Sequence, residues 1–91
     1  MPLLRGEVQG YNFDRMVVEF TMLDQDTIVA CAISTAAMDD LEDGRALKPE
    51  QRVDQFLRLR DVIEARASLK FYDEHARPGR ALVLRSNDFV K

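Results

Sequence analysis

The stretch Arg15-Met16-Val17-Val18-Glu19-Phe20-Thr21-Met22-Leu23, followed by Asp24-Gln25-Asp26 and Thr27-Ile28-Val29-Ala30-Cys31-Ala32-Ile33, decides the fold. Met16, Val18, Phe20 and Met22 alternate with Arg15, Val17, Glu19 and Thr21. A period of two with one apolar face is the pattern of a half-buried strand. The Asp-Gln-Asp connection favours a turn, because Asp carboxylates bond nearby backbone amides. Thr27–Ile33 is apolar on both sides, as suits a central strand covered at least partly on both faces. The two runs therefore predict an antiparallel hairpin. Its register sets either Val29, Cys31 and Ile33 or Ile28, Ala30 and Ala32 beside the Val18/Phe20 face, since a slip of one residue exchanges the sets.

Outward from the hairpin, Ser34 and Thr35 are suitable N-caps for a short helix over Ala36–Glu42, with Gly44 as its stop. Pro49 opens a long helix at a position where its missing N–H costs nothing. Val53, Phe56, Leu57, Arg60, Ile63, Ala67 and Phe71 form one face of that helix, which is predicted to run to Phe71 or Tyr72. Asp54 with Arg58 and Arg60 with Glu64 have the spacing of ion pairs on one helix face. Pro78-Gly79 signals a turn, and Arg80–Arg85 reads as a further strand closed by Ser86-Asn87-Asp88. Leu3–Phe13 carries weaker strand signals interrupted by Gly6 and Gly10, and residues 1–10 are expected to be a short edge strand or a flexible arm. The order β-β-β-α-α-β implies an α+β domain. It is expected to hold a small antiparallel sheet of three to four strands, with one long and one short helix on one face.

The chain has 91 residues, and that length fits a single domain over 1–91. Hydrophobic residues make up 46% and charged residues 32%, ordinary for a globular chain rather than a disordered one. The longest apolar run, Ile28–Ile33, is far short of the ~20 residues that a membrane span needs. The N-terminus shows no signal-peptide pattern, and a lone Cys fits a reducing compartment, so a cytoplasmic location is expected. The net charge of −3 is unevenly spread. Residues 24–44 carry six acidic groups and no basic one, whereas residues 45–91 carry eleven basic and seven acidic groups.

Catalytic chemistry finds little to work with. Cys31 and His75 are the one nucleophile–base combination, but Cys31 lies in an apolar run where a thiol is a small buried hydrophobe. Asp39, Asp43, Gly44 and Glu50 fall at calcium-loop positions 1, 5, 6 and 12. Leu41 then stands where an oxygen ligand is required, which argues against a calcium site. One Cys and one His are too few for a structural zinc site. Asp39/Asp40 and Asp73/Glu74 are sequence neighbours that diverge on a helix rather than converge on a substrate. No Gly-rich phosphate loop is present. No enzyme activity, cofactor, metal site or small-molecule substrate is therefore expected.

Two surfaces remain. Val62, Ala65 and Leu69 form a second apolar stripe on the long helix, roughly opposite the Phe56/Ile63 face. A helix apolar on two sides is either sandwiched, here by the short helix, or contacts another chain. Arg45, Arg52, Arg58, Arg66, Arg77 and Arg80 make a candidate basic surface in the C-terminal half. Interleaved acids (Asp54, Asp61, Glu64, Asp73, Glu74) weigh against phosphate binding there. The expected role is a non-catalytic protein-interaction module, with self-association as one form. The alternative is a nucleic-acid-associated accessory protein acting through the Arg-rich half.

The segments Arg15–Met22, Cys31-Ala32-Ile33-Ser34, Gln55-Phe56-Leu57-Arg58-Leu59-Arg60-Asp61 and Leu82-Val83-Leu84-Arg85-Ser86 resemble, in order and spacing, the small bacterial family called domain of unknown function number 1488. The resemblance spans residues 11–89. It implies a small α+β fold and a free-standing bacterial cytoplasmic protein. It implies no activity, cofactor or site residue.

Overall fold

The computed structural model describes residues 3–42, 47–73 and 81–89. In chain order these form β1 (Leu4–Asn12), β2 (Val17–Asp24), β3 (Thr27–Ser34), α1 (Thr35–Leu41), α2 (Arg52–Asp73) and β4 (Leu82–Leu84). A 3-10 turn over Pro49–Gln51 leads into α2, and another over Ser86–Phe89 follows β4. The sheet order is β1-β2-β3-β4, and the class is α+β.

The hairpin forms as the alternation predicts, and its register is settled. Val18 faces Ile33, Phe20 faces Cys31 and Met22 faces Val29, all buried on one side of the sheet. Asp24 pairs with Thr27, so the turn proper is Gln25-Asp26, with Gln25 in the left-handed region at φ 56°. At the other end of β2, the Asn12 Oδ1 accepts from the backbone of Asp14 and Arg15 and shapes the turn.

The sheet is mixed rather than wholly antiparallel. β4 pairs parallel to β3, matching Cys31 with Leu82 and Ile33 with Leu84. Parallel neighbours need a crossover connection, and the helical segment between β3 and β4 supplies it. That register puts Leu82 and Leu84 on the same buried side as Phe20 and Cys31.

β1 is longer than the short edge strand expected for residues 1–10. Gly6 and Gly10 do not break it. They sit at shifts in register, between Arg5 and Val8 and between Val8 and Gly10. Gly10 takes φ 129°, which only glycine adopts readily. Extra residues taken up as bulges let a strand keep pairing while it bends.

Ser34 caps α1, its Oγ accepting from the Ala37 N–H at 3.1 Å. Phe56, Ile63 and Ala67 of α2 and Ala37 and Met38 of α1 complete the core against the sheet. The Phe20 and Phe56 rings meet at 4.8 Å between centroids, the central contact between sheet and helix. Leu57, expected on this face, is instead exposed, and the wholly buried neighbour is Gln55. The other side of the sheet is open in part. Ile28 is 69% exposed and Ala30 is exposed, while Ala32 is buried. The second side of β3 is thus covered only in part, with Ala32 and Val17 of β2 enclosed there and the main core on the other side.

Among the described residues, no helix is long and apolar enough to cross a membrane.

Candidate interaction surface

Two polar clamps fix how α2 presents its outer side. At the β1 end, Glu64 is nearly buried between two arginines. Arg5 Nε donates to its Oε1 at 2.8 Å and Arg60 Nε to its Oε2 at 2.9 Å. Arg5 also reaches Asp61, Arg60 donates to the Gly6 carbonyl, and the Leu3 N–H donates to Ser68 Oγ. These bonds lash the start of β1 along one flank of the helix. The expected Arg60–Glu64 pair is thus one part of a three-residue cluster.

On the opposite flank, Asp88 is the hub. Its carboxylate accepts from the Arg85 N–H at 2.8 Å and from Lys70 Nζ at 2.9 Å. Lys70 also donates to the Val83 carbonyl, and Arg66 Nε donates to the Asp88 carbonyl. Burial pushes the Asp88 carboxyl up, but the Arg85 N–H, Lys70 and nearby Arg66 outweigh it and hold it below its ordinary range. The turn-prone Ser86-Asn87-Asp88 is in this way a bracket fastening the segment after β4 to α2.

Between these clamps the stripe is uncovered among the described residues. Val62 is 51% exposed, Leu69 is 56% exposed and Ala65 is exposed. The short helix α1 does not sandwich the stripe. Its Leu41, with Phe89 on the far side, instead walls an open groove of ≈ 580 Å³ whose floor is Val62, Ala65 and Leu69. Arg66 and Asp88 complete the lining. The stripe recurs at i, i+3 and i+7, and Tyr72 continues the same spacing and is also exposed. That 3-4-3 interval is the seam that two packed helices share.

Of the candidate basic surface, Arg52, Arg58 and Arg66 are among the described residues, and each is engaged within the fold. Arg45, Arg77 and Arg80 lie outside the described residues, as do His75 and Gly44. Arg52 is not on the surface. It is 8% exposed, with Nη1 2.7 Å from Asp39 Oδ1 and 2.8 Å from Gln55 Oε1. Gln55 Nε2 donates to the same Asp39 oxygen at 3.1 Å. Position 52 begins α2 on the side where α1 packs, so its side chain is enclosed between the two helices. Arg58 is exposed but makes a two-pronged bond to Glu42, not the ion pair with Asp54 suggested by spacing. Glu42 holds the Arg58 guanidinium above its ordinary range. Arg66 is committed to Asp88.

Cys31 is buried mid-strand, and its thiol contacts the Val29 carbonyl of its own strand. Burial pushes its pKa from 9.0 up to about 12. Asp39, first in the calcium-loop spacing, is inside α1 and held by Arg52 and Gln55. Sequence reading missed the Arg52–Asp39–Gln55 cluster. Its signal was Gln55, a neutral polar residue one position before the core Phe56.

Residues 6–84 match the family described as "Protein of unknown function (DUF1488)". Among solved structures, the chain is similar to a protein of unknown function from the DUF1488 family of Shewanella loihica PV-4. The two are 18% identical over 91% of each chain, with a TM-score of 0.77. At that identity the likeness concerns the fold. No curated protein matches the chain.

Proposed function

The chain belongs to the DUF1488 family, and from that premise we propose that it is a non-catalytic module that binds another protein through the outer side of α2. The observation that carries this reading is the groove floored by Val62, Ala65 and Leu69. Apolar side chains lining an open groove, with Arg66 and Asp88 beside them, suit a partner that removes them from water. Burying a side chain the size of Leu69 contributes roughly 1.5–3 kcal/mol.

The non-catalytic part of the reading rests on where the reactive groups are held. The Cys31 thiol is protonated and enclosed. Asp39, Glu42, Glu64 and Asp88 each accept bonds from an arginine or lysine. The same bonds favour a protein partner over nucleic acid, since Arg52 is enclosed against Asp39 and Arg66 is held by Asp88. The proposed setting is the bacterial cytoplasm.

The test compares three tagged baits in an extract of the native cell, read by quantitative mass spectrometry: wild type, Leu69→Asp and Leu57→Asp. Leu57 is also exposed but lies off the stripe. Wild type and Leu57→Asp should enrich the same protein, which Leu69→Asp loses while keeping its melting temperature. Identical capture by all three baits overturns the docking role of this face.

A further inference from the structure

We propose that the occupant of the groove is a second copy of this chain, seated antiparallel about a two-fold axis passing between Ala65 and Arg66. The inference rests on the reading of α2 as a docking face and names the partner. A two-fold interface must be self-complementary, so that when residue i meets residue j of the other copy, j also meets i. The outer side of α2 has this property. Arg58, Val62, Leu69 and Asp73 are spaced four, seven and four apart, symmetric about the midpoint of Ala65 and Arg66.

At 1.5 Å rise per residue, Val62 and Leu69 lie about 5 Å on either side of that midpoint, and Arg58 and Asp73 about 11 Å. At about 100° per residue the four side chains fall within an arc of about 60°. Antiparallel pairing therefore sets Val62 of one copy on Leu69 of the other, twice. Arg58 of one copy meets Asp73 of the other, also twice. In this orientation Asp73 joins a guanidinium that Glu42 already holds in place, whereas a parallel one would set Asp73 against Asp73. Ala65 at the centre is small and lets the two helices approach closely.

The surroundings agree with this placement. Asp73 is exposed and is the last residue of α2. Arg58 bonds to Glu42 through Nε and Nη2, which holds its guanidinium at the rim of the stripe. A guanidinium has five N–H donors, and those two bonds engage two of its three nitrogens.

The experiment is sedimentation equilibrium on wild type, Leu69→Asp, Arg58→Asp, Asp73→Arg and the Arg58→Asp/Asp73→Arg double variant, each checked by thermal melting. Wild type should dimerise below about 0.5 mM, and Leu69→Asp should be monomeric. Each single charge reversal should weaken the dimer about tenfold, because symmetry counts each change twice. The double variant should bind at least about threefold more tightly than either single reversal, its cross-pairs being restored with signs exchanged, while the Arg58 bond to Glu42 stays lost and keeps it below wild type. As a second readout, Ala65→Cys should be joined to its counterpart by a short bis-maleimide, and Leu57→Cys should not.

A monomeric wild type, or Ala65→Cys that fails to crosslink, overturns the second copy as occupant. The bait comparison then decides the docking face separately. A double variant no tighter than the single reversals overturns the antiparallel register. A dimer that survives Leu69→Asp overturns both the register and the docking face.

Discussion

Arg52 Nη1 lies 2.7 Å from Asp39 Oδ1, joining the first turn of α2 to the middle of α1 from a nearly enclosed position. The short helix has seven residues, too few to be stable alone, so its contacts with the rest of the fold hold it. Replacing Asp39 with Ala leaves the guanidinium enclosed without a counter-ion. A loss of about 3 kcal/mol is expected, at the low end for a broken buried pair because Asp39 is partly exposed. Urea unfolding checks this. Exchanging Arg52 for Met in the same chain should recover part of the loss, since the uncompensated charge is then gone. A loss below about 0.5 kcal/mol for Asp39→Ala would place the pair among ordinary surface contacts.

Asp88 makes stability depend on acid. Its carboxyl is held below its ordinary value of 3.8 in the folded chain. The stabilisation is therefore complete above that ordinary value and is lost as pH falls through the folded value. Asp88→Asn should cost about 1–2 kcal/mol at neutral pH through its bonds to the Arg85 N–H and Lys70. The gap between wild type and variant, followed by urea unfolding at successive pH values, should hold above about pH 5 and close on acidification. A gap that does not change with pH would contradict the assignment.

Cys31 should be silent towards thiol reagents in the folded protein. Burial raises its pKa to about 12, and its own strand carries it into the core. At pH 8 its labelling by a maleimide should follow unfolding, and denaturant should release the thiol at once. The same shift predicts loss of stability in alkali. A raised folded value means that the contribution is full below the ordinary value of 9.0 and is lost as pH rises towards about 12. Labelling of the native chain at the rate of a free thiol would show that the strand is not enclosed.

Gly6 marks where β1 presses on β2. A Cβ added there would stand 2.5 Å from the Thr21 carbonyl oxygen and closer still to its Oγ1. Backbone cannot yield as a flexible side chain can, so Gly6→Ala should cost about 1–3 kcal/mol. The Arg60 bond to the Gly6 carbonyl and the Arg5 clamp on Glu64 depend on the same stretch. Thermal melting checks the loss. A variant as stable as wild type would mean that β1 can shift its register freely.

Much of the fold was legible in the chain. The alternation around Val18, Phe20 and Met22 announced β2, and Pro49 and the Phe56–Ile63–Ala67 spacing announced the long helix. What escaped was relational. The direction of β4 depends on the crossover, which three apolar residues in a row do not record. The length of β1 depends on bulges at glycines that also resemble breaks. Of the candidate surface, the stripe was visible because helical periodicity is local. Arg52 was misplaced because its enclosure depends on Asp39 and Gln55, which only the packing of α1 on α2 brings together.

The parallel pairing of β4 with β3 also sets an order of assembly. The β1–β2–β3 meander pairs between neighbours in sequence and can form early, but its Cys31/Ile33 side meets Leu82 and Leu84 only after a long closure through both helices. Closure entropy favours making such contacts late. Leu84→Ala should therefore quicken unfolding and leave the folding rate nearly unchanged, whereas Val18→Ala in the hairpin should slow folding. Stopped-flow kinetics over a urea series distinguishes the two. On this view the strand with the fewest residues acts as the latch, governing how long the native state lasts more than how fast it is reached.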